Sequence, residues 1–94
     1  MMQKLQEMQQ KMEETKARLD TIMVDGEAGG GKVKVVVTGN RTVKEVKVNG
    51  DLGSYDSEEL EDLLIMALNS ALEKAEQVNE SEMKAASAGL LPGM

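Results

Sequence analysis

The sequence predicts an α+β domain in the order helix, three-stranded antiparallel sheet, long helix. Three observations predict it: an apolar seam at heptad spacing in the first twenty-two residues, Val-rich alternating segments punctuated by glycine, and a Leu/Ala-rich stretch after Asp56. Ninety-four residues make one domain, here 1–94 as a single unit. A chain this short buries only about 60–65% of the surface its unfolded form exposes. Bulky apolar groups are also scarce: Tyr55 is the sole aromatic residue, and Leu, Val, Ile and eight Met must supply the core. A second copy to pack against would relieve both shortages.

The first helix is expected over about residues 1–20. Met1, Leu5, Met8, Met12, Leu19 and Ile22 alternate at spacings of three and four, with only Thr15 interrupting. Placing Leu5, Met12 and Leu19 at heptad position a puts Met1, Met8, Thr15 and Ile22 at d, a narrow seam suited to a partner helix. A meander is expected over 21–49. Its first strand ends near Ala28, Gly29-Gly30-Gly31 supplies a permissive turn, and Val33, Val35 and Val37 alternate with Lys32, Lys34 and Thr38 along the second strand. Gly39-Asn40 reads as the next turn and Thr42–Asn49 as the third strand, where Val46 and Val48 oppose Glu45 and Lys47. Val43 breaks that alternation, which predicts a bulge or an exposed edge near it.

Asp56-Ser-Glu-Glu59 has the form of a capping box, with Tyr55 and Leu60 as the accompanying hydrophobic staple. The helix it opens is expected over 57–86, followed by a tail at 87–94 whose Gly and Pro oppose helix. Its apolar positions run from Leu60 to Val78, widened by Ile65 and Met66, an arc that needs two covering surfaces. The sheet is one, and a neighbouring helix or a second subunit the other. The residues predicted to meet that subunit are Leu5, Met8, Met12 and Leu19 on the first helix and Leu64, Leu68 and Leu72 on the last.

Composition narrows the function. With no Cys and no His, disulfides, thiolate zinc sites and the commonest general base are all lacking, which points away from an enzyme and away from a bound metal or other cofactor. No eighteen apolar residues run together and the first residues contain no apolar h-region, so the expectation is a cytoplasmic protein with no membrane partner and no small-molecule substrate. The net charge of −6 conceals a segregation. Residues 26–50 hold five bases against two acids, residues 1–20 four of each, and residues 51–94 only two bases against ten acids. The candidate phosphate contacts are therefore Lys4, Lys11, Lys16 and Arg18 on the first helix and Lys32, Lys34, Arg41, Lys44 and Lys47 on the meander.

Two apparent motifs have simpler readings. Gly26 to Lys32 matches the start of a phosphate-binding loop, but Val33 stands where a magnesium-binding hydroxyl is needed and a strand, not a helix, follows; the segment reads as a hairpin turn. Glu58, Glu59, Glu61 and Asp62 complement the positive end of the last helix and do not converge as metal ligands would. The first helix is more informative. Lys4, Lys11 and Arg18 are seven apart at position g, a stripe reaching about 21 Å at 1.5 Å per residue. Such a stripe suits phosphates on a duplex, while Glu7–Lys11 and Glu14–Arg18, spaced by four, suit a solvated helix or an inter-subunit face.

The Met/Gln/Lys-rich opening helix, Val24-Asp-Gly-Glu-Ala-Gly-Gly-Gly-Lys-Val-Lys-Val35, Gly39-Asn40, Val46-Lys-Val48, Leu60-Glu-Asp-Leu-Leu64 and the closing Gly89-Leu-Leu-Pro-Gly-Met94 together resemble the YbaB/EbfC family of bacterial nucleoid-associated proteins. The resemblance covers nearly the whole chain. It implies a homodimer with projecting helical arms that binds double-stranded DNA with loose sequence preference, in the nucleoid, in an architectural or regulatory role. Replication or repair proteins are further partners to consider. The competing expectation is a non-catalytic protein-interaction module that uses the heptad seam and the Met-rich surface, with DNA binding incidental.

Overall fold

The computed structural model describes residues 2–90, in the order α1 (Met2–Thr21), β1 (Met23–Ala28), β2 (Val33–Thr38), β3 (Val43–Val48) and α2 (Ser57–Leu90), with a 3₁₀ turn at Leu52–Ser54. The strands form one antiparallel sheet in the order β1-β2-β3. Between β1 and β2, Gly29, Gly30 and Gly31 all take positive φ, a run that side chains with a Cβ would strain. Opposite Val36 and Val37 the register of β3 slips by one residue, from Glu45 to Val43, leaving Lys44 as the extra residue. This bulge explains the broken alternation at Val43. Turning the strand by one residue puts Val43, Val46 and Val48 on the same side of the sheet as Val33, Val35 and Val37.

That side is the core. Val33, Val35 and Val37 are fully buried beneath α2, which presents Ala67, Ala71 and Ala75 to them, one small residue per turn. The approach is close because of Gly26: a Cβ there would fall inside the backbone of Ala67 and Ala71. α2 lies over β1 and β2 and barely touches β3. Lys74 reaches from α2 over β1, donating to the carbonyl of Asp25 at 2.7 Å.

α1 packs antiparallel to the second half of α2. Thr15 is the polar break in the heptad seam, and it is buried at this contact with its hydroxyl donating to the carbonyl of Lys11 at 2.8 Å. Ala86 of α2 is buried at the same junction. This contact helps carry α2 past the end expected near Ala86: Ser87, Ala88 and Gly89 remain helical as far as Leu90, since one interior glycine costs only about 1 kcal/mol. The tail expected at 87–94 is thus helix over its first half, and residues 91–94, like Met1, lie outside the described residues. The capping box does not form as expected, because Glu59 turns toward Lys32 (3.6 Å) instead of back to Asp56. Tyr55 donates its hydroxyl to the carbonyl of Asn49.

The molecule measures 61 × 20 × 16 Å with a radius of gyration of 17.9 Å, against about 12 Å for a compact chain of this length. The excess length is helix. Past the body of the sheet the first three turns of α1 project, carrying Leu5, Met8 and Met12 in water at 62, 45 and 44% exposure.

Candidate nucleic-acid interface

Four bases lie on α1, and its rotation of 100° per residue divides them between two flanks. Lys4, Lys11 and Arg18 fall on the flank next to α2, and Lys16 on the opposite flank. Arg18 Nη2 lies 3.4 Å from Glu82 Oε1 of α2, taking this partner in place of Glu14. The guanidinium remains two-thirds exposed, so the pair is worth no more than about 1 kcal/mol and leaves most of its donors available. Lys4, Lys11 and Lys16 make no ion pair among the described residues.

The bases of the meander fare differently from one another. On the sheet face away from α2, register aligns Glu27, Lys34 and Lys47 in one row and Asp25, Val36 and Glu45 in the next. Lys34 lies 3.9 Å from Asp25. Two lysines among three carboxylates give this face no positive excess. Lys32, in the turn before β2, is drawn to Glu59 and lies 6.0 Å above the Tyr55 ring. Arg41, at the tip of the β2–β3 hairpin, and Lys44, in the bulge beside it, are exposed, and neither has an ion-pair partner among the described residues. The outward face of α2 carries Glu58, Asp62, Glu73, Glu76 and Glu80, all exposed, and repels phosphate. Two separate positive surfaces remain: the flank of α1 that carries Lys4, Lys11 and Arg18, and, on the opposite flank, Lys16 with the hairpin tip beside it.

The tip is tied to α1. Asn40 donates from Nδ2 to the carbonyl of Lys16 at 2.9 Å and to Asp20 Oδ1 at 2.6 Å, and Asn79 of α2 donates to the carbonyl of Gly39 at 3.0 Å. Gly39 N donates to the carbonyls of Leu19 and Ile22 at 3.0 and 2.9 Å. Sequence reasoning missed these clamps. Asn40 reads there as a turn residue and Asn79 as one polar position of a long helix, and no spacing links residues 40 apart.

The apolar residues expected at a subunit contact divide into three sets. Leu19 is fully buried inside the chain, packed under Gly39, so it has no surface to offer a second copy. Leu64, Leu68 and Leu72 are half-buried at the margin of the core. Val43 and Val46, 46 and 49% exposed, lie on the edge strand β3, which α2 leaves uncovered. Leu5, Met8 and Met12 form the separate stripe on the projecting arm.

The YbaB/EbfC DNA-binding family matches this chain over residues 1–90. The chain belongs to that family. A nucleoid-associated protein of Flavobacterium johnsoniae is 48% identical over 85 residues, covering 90% of this chain and 79% of its own. One from Bordetella avium is 41% identical and covers all of this chain and 89% of its own. The same fold occurs in the crystal structure of an uncharacterized protein from Helicobacter pylori, with a TM-score of 0.72 at 22% identity over 93% of this chain and 89% of that one. By family the chain is a nucleoid-associated DNA-binding protein. No helix among the described residues is long and apolar enough to cross a membrane.

Proposed function

We propose that this protein is a homodimer that binds double-stranded DNA through the phosphate backbone, with loose sequence preference, as an architectural or regulatory component of the cytoplasmic nucleoid. Family membership supports DNA as the partner. The observation that carries the choice of surface is the placement of charge: Lys4, Lys11, Lys16, Arg41 and Lys44 are exposed and unpaired among the described residues, whereas the open sheet face is balanced and α2 is acidic outward. Bases that meet phosphates release counterions, and this binds any sequence alike. The second copy covers β3 and the Leu64, Leu68, Leu72 margin, leaving the arms to project from the dimer.

A gel-shift titration on unrelated duplexes at two salt concentrations tests the reading. Affinities that hardly differ between sequences and fall steeply with salt are expected. Salt-insensitive binding, or none at low salt, would refute it. A protein-interaction role has one observation in its favour, the apolar stripe Leu5, Met8, Met12 left in water on the arm. Replication or repair proteins are partners for that stripe. Changing Leu5 and Met8 to Gln separates the two readings, since phosphate binding survives the loss of apolar surface and capture of a protein does not.

A further inference from the structure

The hairpin tip between β2 and β3 holds an arginine in a conformation that arginine seldom takes. Thr38 N donates to the carbonyl of Thr42 and Arg41 N to the carbonyl of Thr38, both at 2.9 Å, closing a three-residue loop of Gly39, Asn40 and Arg41. In such loops the last residue is left-handed and is ordinarily glycine. Here it is Arg41, with φ +66, the one described residue other than glycine at positive φ. Glycine would remove the strain, so the turn by itself gives no reason for arginine.

The strained residue is rigidly presented. Thr38 Oγ1 accepts from Asn40 N and Thr42 N, both at 3.2 Å. The Asn40 amide ties the loop to Lys16 and Asp20 of α1, and the Asn79 amide ties it to α2. Asp20, the carboxylate of α1 that meets this tip, is engaged by Asn40. Lys16 lies where the loop meets α1, and Lys44 follows three residues later in the bulge.

We infer that Arg41 is a phosphate contact of the bound duplex, its guanidinium offered from a locked hairpin tip beside Lys16 as a fixed point that orients the DNA along α1. This rests on the DNA-binding reading above and gives one of its bases a fixed, orienting role. A guanidinium meets a phosphate with two parallel N–H donors, so a fixed backbone improves its aim in a way that a mobile loop would not.

Arg41→Gly and Arg41→Lys, each measured for duplex affinity by fluorescence anisotropy at several salt concentrations and for melting temperature, test the inference. Arg41→Gly is expected to melt higher than the wild type and yet bind about tenfold more weakly, as removal of a charged hydrogen bond predicts. Its plot of log K against log salt is expected to be shallower by about 0.9 for each phosphate no longer neutralised. Arg41→Lys keeps the strain and the charge and is expected to bind between the two. Wild-type affinity in a stabilised Arg41→Gly overturns the inference while leaving DNA binding intact; a glycine variant that melts lower overturns the strain argument on which the inference stands. If the wild type itself binds no duplex, the DNA-binding reading fails and this inference fails with it.

Discussion

Gly26 and Asn40 set the geometry of this molecule without contributing apolar surface. At Gly26 the absence of a side chain lets α2 settle onto the sheet, and the atoms a methyl group would meet are backbone, which cannot rotate away. Gly26→Ala is expected to lift α2 and destabilise the fold by about 1–3 kcal/mol, the range for overpacking, or more, as measured by urea unfolding. Asn40 joins the hairpin tip to α1 by two hydrogen bonds. Because both acceptors are partly in water, Asn40→Ala should cost only about 1 kcal/mol of stability. It should also loosen the angle of α1 against the sheet, seen as faster amide exchange at Gly39 and Arg41.

At the scale of elements, the two basic regions differ in what surrounds them. Changing Lys4 and Lys11 to Glu on α1 leaves the Arg18–Glu82 contact intact, so the α1–α2 junction should survive. DNA binding is expected to fall strongly, with a salt dependence shallower by about 0.9 for each phosphate contact removed. Changing Lys34 and Lys47 to Glu alters as many charges on the balanced sheet face and is expected to weaken binding much less. If the sheet variant no longer binds and the α1 variant still does, the contact surface is the sheet. Circular dichroism on both variants separates an effect on phosphate binding from unfolding. The basic stripe was legible from its seven-residue spacing. The pairing of Arg18 with Glu82 and the neutralising of Lys34 and Lys47 were not, because they depend on which strands and helices become neighbours.

For the whole molecule, the proposed dimer would cover the strand β3 that α2 leaves open. Light scattering behind gel filtration should give about twice the 10.2 kDa of one chain. Val46→Glu puts a charge on the uncovered edge of β3 and leaves the buried Val33, Val35 and Val37 untouched. It is expected to yield a folded monomer with a smaller salt slope in DNA binding, since each complex then brings one set of bases in place of two. A wild-type chain that remains monomeric at micromolar concentration would remove the dimer from the proposed function.

Local chemistry accounts for everything that is legible along the chain. Helix, meander and helix follow from apolar spacing and from the glycines that only certain turns tolerate. The bulge follows from Val43 breaking its alternation, and the charge segregation from simple position. Contacts between distant residues account for the rest. Leu19 belongs to a repeating seam by its spacing, yet it is buried within the chain because Gly39 folds back upon it. The helix expected to stop near Ala86 continues because α1 packs alongside it. Arg41 counts in the sequence as one of eleven bases, and only the hairpin's register and its clamps to both helices make it a strained and fixed one. A periodic pattern tells which face of an element is apolar; which element that face meets is decided by the closure of the chain in space.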